Sequence, residues 1–348
     1  MDNYIRKTYA GLDIGKFLCA FLILFYHYFS EHGPVPRILD EVLSLYAVAV
    51  ALFMAISGFL VFDKLRLIDG TPQKWAVVRK QALRILTIYA IWSIPYLIYT
   101  ICRWDWGTIT PSFVAWQIQG WIFKSTFYTI WFMPMLAIGL ILSFWLVVKL
   151  PIWLVEILAF LCYIAGSLTL TYKYFGVMIP GFSMIMSFAE TWLGGARGWL
   201  FFAFPLIMIG RRMAENTKRK SWLFYAILSI ISIGALLAEA LLLRQIAGHT
   251  GIDMTIMMVP SVYFILGFLI SIKIPTGSYC VWMRKMSTLI FMSQRLFLTV
   301  IPVCFPVLID IANNKNIIGM IIMCGPVLIL SILIIGLSDR FKWMKLLY

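Results

Sequence analysis

The chain has 348 residues, of which 62% are hydrophobic and 13% charged, and its mean hydropathy is +0.92. Soluble globular domains sit near about 45–50% apolar and about 25% charged, so composition excludes a soluble enzyme or soluble binding module and points to a polytopic membrane protein. The net charge of +14 is not a nucleic-acid signature in such a chain. Excess Lys and Arg in a membrane protein report orientation and contact with anionic lipid.

A span needs about 20 mostly apolar residues. Ten segments qualify, near 12–31, 43–62, 84–102, 128–148, 152–171, 199–214, 222–243, 254–272, 287–309 and 317–338. The expected fold is therefore an all-α polytopic membrane protein with about ten transmembrane helices; the sixth is short. No small-residue cleavage site follows the first segment, so it is expected to remain as a span. Polar runs are brief, and residues 1–348 read as one transmembrane domain. Lys and Arg divide twenty to seven between alternate sets of loops, with Lys16 and Arg295 inside spans. The poorer set holds Arg37, Arg103, Lys124, Lys173, Arg197, Arg244 and Lys315. The positive-inside rule then puts both termini in the cytoplasm, as an even number of spans requires. The six cysteines fall mostly in apolar segments without CxxC spacing. They read as small buried hydrophobes, and no metal is expected.

The first span, GLDIGKFLCAFLILFYH (11–27), carries Asp13, Lys16 and His27. A charge at the bilayer centre costs about 2.5–3.5 kcal/mol on insertion scales, so such residues usually face a cavity. Lys16 and His27 are eleven residues apart. That separation returns to within about 20° of one face and spans about 16 Å. Asp13 and Lys16, at i,i+3, can pair. The plainer reading is a structural ion pair plus a histidine bonded to a neighbouring helix; the three-residue stripe favours function. His27 is the one histidine inside an expected span, with His32 and His249 in outer loops. Imidazole suits general-base work near neutral pH.

Four further features follow in chain order. The loop expected at 63–84 holds Lys64, Arg66, Lys74, Arg79, Lys80 and Arg84, which could hold phosphates or simply meet lipid headgroups. The long outer loops 103–127 and 172–198 carry Trp104, Trp106, Trp116, Trp121 and Trp192. These are interfacial anchors or the lining of a binding mouth. Arg197 stands beside glycines at the outer end of the sixth span. It suits a polar or anionic acceptor, or it snorkels. Arg295 lies about 12 Å into the ninth span. It needs a partner, and Asp13, Glu156, Glu190 and Glu239 are candidates.

At these residues the chain resembles the membrane-bound acyltransferase-3 family. Leu12-Asp13 with Lys16 and His27 is similar to that family's opening motif, FMAISGFL (53–60) to its F-x-x-S-G-F-L, and Trp131-Phe132-Met133 to its W-F-L. The stretch from Arg197 to Gly210 resembles a branch that includes the membrane domains of vancomycin-resistance serine racemases. Two positions depart from the family pattern: Gln81 stands where R-x-x-R begins, and Gln294 where a late His is common. The resemblance implies an O-acyltransferase, in particular an O-acetyltransferase. It would move an acyl group from cytoplasmic acyl-CoA (acetyl-CoA) to a hydroxyl of an extracytoplasmic or lipid-linked glycan-type acceptor, with no permanently bound cofactor. It implies His27 as base with Asp13 and Lys16 in the catalytic stripe, and Arg79, Lys80, Arg84 and Ser57 at the donor. Arg197, Arg295 and Trp131 would meet the acceptor. A covalent acyl intermediate on His27 or Ser57 is a variant. The expected location is a bacterial plasma membrane, with the bilayer and no nucleic acid as partner. The competing reading is a non-catalytic transporter or sensor of a small amino acid such as serine.

Overall fold

A computed structural model describes residues 9–31, 45–247, 253–313 and 317–348. All regular elements among the described residues are helical. In chain order they are α1 (Ala10–Glu31), α2 (Tyr46–Leu65), α3 (Thr71–Cys102), α4 (Pro111–Phe123), α5 (Phe132–Lys149), α6 (Ile152–Thr169) and α7 (Phe182–Trp192). There follow α8 (Phe204–Glu215), α9 (Trp222–Ala247), α10 (Met258–Ser271), α11 (Ser278–Arg295), α12 (Pro306–Asn313) and α13 (Ile317–Leu337). Short turns of helix occupy Lys173–Gly176 and Lys342–Leu347. A π-helical turn, Trp199–Ala203, leads into α8, and another, Leu296–Val300, carries α11 on to Cys304.

Among the described residues eight helices are long and apolar enough to cross a membrane: α1, α2, α3, α5, α6, α9, α11 with its extension, and α13. The two other expected spans, 199–214 and 254–272, form shorter helices, α8 with its π turn and the 14-residue α10. Their position explains this. Most of α8 is buried, and its most extensive packing is on α2. A helix enclosed by protein does not have to match the bilayer thickness.

Helix α2 is the centre of the bundle. Fourteen of its 20 residues are buried, as expected of a helix that is apolar all round. It meets α8 at Gly58 and Gly210. A Cβ at Gly58 would collide with the Ile207 backbone, and one at Gly210 with the backbone of Ala55 and Phe59. Small residues at such crossings let membrane helices approach closely.

Three boundaries differ from expectation. Helix α3 starts at Thr71, with Pro72 in its first turn. Its 32 residues make about 48 Å of helix, against a hydrocarbon core of about 30 Å. Lys74, Arg79, Lys80 and Arg84 therefore stand on a helix, and only residues 66–70 separate it from α2. Their polarity hides this extension from a hydropathy reading. The outer segments 103–127 and 172–198 likewise contain α4 and α7. Thr110 caps α4, its hydroxyl accepting from Phe113 N–H at 3.2 Å ahead of Pro111. Helix α11 begins at Ser278, which places Arg284 and Lys285 in a helix.

The polar contacts sort to two ends of the bundle. Tyr9 donates to Asp63 at 3.1 Å and Arg212 pairs with Glu156 at 2.7 Å at the Lys/Arg-rich end. Lys124 pairs with Glu190 at 2.6 Å at the far end. There Glu239 also accepts from the Ile256 and Met257 N–H groups at 2.8 Å each, capping α10. This alternation matches spans that reverse direction in sequence. His32, His249, Arg6, Lys7, Arg37 and Lys315 lie outside the described residues.

Candidate functional site

Helices α1 and α11 pack side by side and run parallel, joined by polar contacts near both ends. At the basic end the buried carboxylate of Asp13 accepts two bonds from Arg284, 2.9 Å from Nε and 2.7 Å from Nη2. A guanidinium fork matches both carboxylate oxygens, which a lysine does not. The expected i,i+3 partner Lys16 lies half-buried one turn on, within reach of the charges of Asp13, Arg284 and Arg84. Arg84 thus joins this cluster from α3. Arg79 and Lys80 are exposed on α3. Ser57 turns its hydroxyl onto the Phe53 carbonyl of its own helix, 2.8 Å away.

At the far end Arg295 Nη2 lies 2.7 Å from His27 Nδ1. Guanidinium has no acceptor, so Nδ1 accepts and the neutral ring carries its proton on Nε2. The Arg295 guanidinium also lies 4.7 Å from the centre of the Tyr128 ring and reaches Thr299 Oγ1 at 3.4 Å. The four carboxylates considered as its partners are engaged elsewhere. Asp13 binds Arg284, Glu156 binds Arg212, Glu190 binds Lys124 and Glu239 caps α10.

A second polar chain also approaches the imidazole. Tyr26 stacks on Tyr46 with 3.6 Å between centroids, and the Tyr46 ring is 6.2 Å from His27. The Tyr46 hydroxyl donates to Asp253 at 3.4 Å, and Asp253 pairs with Arg197. Burial works against the Arg197 charge, but Asp253, Tyr46 and Tyr26 outweigh it and raise its pKa above the ordinary value. Backbone shape helps to hold this pair. Met254, next to Asp253, has φ 56°, and Gly194 and Gly195 before Arg197 have φ 80° and 73°. A left-handed methionine is uncommon, and such strain tends to collect at functional sites. The two π turns start directly after Arg295 and two residues after Arg197. Wide turns of this kind are also frequent at functional sites.

Beside this centre lies a cleft of about 810 Å³, lined among others by Trp116, Trp121, Gln119, Lys124, Tyr128, Trp131, Glu190 and Arg197. Two residues expected to meet an acceptor, Arg197 and Trp131, therefore share one cavity. Trp131 rests against Phe202 of the first π turn, 5.8 Å between centroids. Arg295 is one contact behind the wall, through Tyr128. Between the two ends the stripe from Lys16 to His27 is closed. Ala20, Ile23 and Leu24 are fully buried, and Ala20 and Leu24 pack in one cluster with Met286 and Ile290 of α11. A smaller cavity of about 410 Å³ opens at the basic end, lined by Tyr9, Asp63, Arg66, Leu67, Thr217 and Arg219.

Sequence reasoning missed Arg284, Tyr46, Tyr128 and Asp253. One signal was present: Arg284 and Arg295 are eleven residues apart, the same spacing as Lys16 and His27, so both pairs return to one helix face.

These features define a polytopic helical membrane protein built around a partly buried imidazole–guanidinium pair, with a polar cleft at one end and a cation cluster at the other. The chain belongs to the acyltransferase-3 family: the model described as "Acyltransferase domain" matches residues 9–336. Membership places it among membrane acyltransferases in general. Over 203 residues it is 25% identical to an amino-acid racemase of Enterococcus faecalis, covering 58% of this chain and 28% of that protein. A second amino-acid racemase of the same organism is 23% identical over 274 residues, 77% of this chain and 37% of the relative. The matched part is thus about a third of these curated relatives' length. No solved structure matches the chain significantly.

Proposed function

We propose that the protein transfers an acyl group from acyl-CoA, in particular acetyl-CoA, to a hydroxyl of an extracytoplasmic or lipid-linked glycan-type acceptor. The observation that carries this reading is the His27–Arg295 pair set against a polar, aromatic-lined cleft. The basic end faces the cytoplasm of a bacterial plasma membrane, following the distribution of Lys and Arg. There Lys16 and Arg84, with Arg79 and Lys80 on the projecting part of α3, attract the donor's phosphates. Phosphates cannot cross the bilayer, so only the pantetheine arm advances. It enters along α1 when the side chains around Ala20 and Leu24 part from Met286 and Ile290.

The resting hydrogen bond constrains the chemistry. While Arg295 donates to Nδ1, that nitrogen cannot take a proton. When the thioester arrives, Arg295 turns its donor to the carbonyl oxygen, where negative charge develops. Nδ1 is then free to take the acceptor's hydroxyl proton. The hydroxyl oxygen bonds to the carbonyl carbon, the C–S bond breaks, and the thiolate leaves with the proton from His27 as free CoA thiol. Purified protein in liposomes should release thiol from acetyl-CoA only with an acceptor present. A His27→Ala variant that transfers at the parent rate would refute this role.

One observation favours a second reading, transport or sensing of a small amino acid. The cleft presents Arg197 and Lys124 with Glu190, a charge set that suits a zwitterion, and the relatives carry the name amino-acid racemase. Uptake of labelled serine into vesicles, without thiol release, would select it.

A further inference from the structure

The cleft is built the wrong way round for a site fed from water. Its lining holds Gln117, Gln119, Lys124, Thr126, Glu190 and Arg197. The helices that frame its mouth turn apolar side chains outward. On α7, Met184 is 79% and Phe188 60% exposed, and with Trp192 they form an i,i+4,i+8 stripe opposite the buried Met186 and Ala189. On α4, Trp116 and Ile122 are equally open, and Val177 and Met178 extend the surface. Residues 106–123 and 174–189 contain no charged side chain at all. The exposed surface of a monomer in water rarely looks like this. It matches helices lying in a membrane interface, with tryptophans at headgroup level. Exposed apolar side chains likewise stand on the long spans that precede these two segments in the chain, Ile94 and Ile98 on α3 and Phe160 and Leu161 on α6.

We propose that α4 and α7 lie in the lipid leaflet at the far end of the bundle, and that the cleft between them takes an amphiphilic acceptor laterally from that leaflet. The acceptor's polar head enters between the Lys124–Glu190 pair and Trp131, and its hydrocarbon tail stays among the lipid chains along Met184 and Phe188. The two helices meet at their C-terminal ends, where Lys124 pairs with Glu190 and Phe123 packs on Trp192 at 5.3 Å. This rests on the reading of the cleft as the acceptor site.

The test uses the full chain in proteoliposomes. Met184→Cys and Asp105→Cys, the latter in the turn between α3 and α4, are labelled with a charged maleimide and with a lipophilic one. Labelling of the parent chain's own cysteines is subtracted. The charged reagent should modify Asp105→Cys at least roughly tenfold faster, while the lipophilic reagent modifies both. Equal rates with the charged reagent would place α7 in water and overturn the proposal. Failure of both reagents at Met184→Cys would show the face covered by protein, and would overturn it too. In a second arm Gln117→Cys is labelled in the presence of decyl maltoside, below the concentration that dissolves the bilayer, or of maltose. Protection by the alkyl glycoside alone is expected. Equal protection by maltose overturns the amphiphile. Protection by neither removes the acceptor reading of the cleft, whatever Met184→Cys reports.

Discussion

Arg295 fixes the tautomer of His27: its guanidinium donates to Nδ1 at 2.7 Å, so the ring's own proton rests on Nε2. The two side chains therefore act as one unit, and each should be nearly useless without the other. His27→Ala and Arg295→Gln are each expected to lower acyl transfer about 10²- to 10⁴-fold. The double variant should be little worse than either single one, because residues acting as a unit are not additive. Thiol release at matched protein levels measures all three. Additive losses would mean that the pair does not share a step.

The Asp13–Arg284 pair is structural in weight as well as electrostatic. Asp13 is almost fully buried, while the Arg284 side chain is 36% exposed. Removing one member of a buried pair typically costs about 3–5 kcal/mol, and the exposure of Arg284 argues for the lower end. Asp13→Asn or Arg284→Met should lower the melting temperature in detergent sharply. The double replacement should recover part of that loss, since neither member is then left facing a missing partner.

Packing at the α2–α8 crossing leaves no room for side chains. Gly210→Val and Gly58→Leu would each press a side chain against backbone, so both should abolish stable folded protein in detergent. Gly234 in α9 has nothing within 4 Å of its would-be Cβ. Gly234→Ala should be neutral, or stabilising by up to about 1 kcal/mol. Size-exclusion profiles and thermal melts separate the two outcomes.

Tyr128 stands between the cleft and Arg295. Its ring meets the guanidinium at 4.7 Å, and cation–π contacts contribute about 0.5–2 kcal/mol. Tyr128→Leu should therefore lower kcat/KM for the acceptor about 2- to 30-fold. Tyr128→Phe keeps the ring and should retain most activity. Equal losses in both would shift the weight from the ring to the hydroxyl.

Much of the bundle was legible because hydropathy reports withdrawal from water, whether into lipid or, as for α2, into protein. That signal needs a long unbroken apolar run and fails without one. The first turns of α3 are too polar to register as a span, and α4 and α7 are too short. The stripe of Lys16 and His27 was visible as helix periodicity. The partners were not, because Arg284 and Arg295 become neighbours of Asp13 and His27 only when α11 packs along α1. Asp253 and Tyr46 are 207 residues apart in the chain, and no local pattern links them. The apolar plug at Ala20 and Leu24 was equally hidden: periodicity assigns a face to a residue but does not tell whether that face is wet.

The widened turn at Leu296–Val300 holds one residue more than a regular helix would use. Deleting a residue there should heal the coil into plain α-helix and turn everything upstream by about 100°. Arg295 would then swing off the imidazole, and the same rotation would carry Arg284 away from Asp13. The surplus residue thus sets the rotation at which two helices meet, so a single missing codon would part the imidazole from its guanidinium.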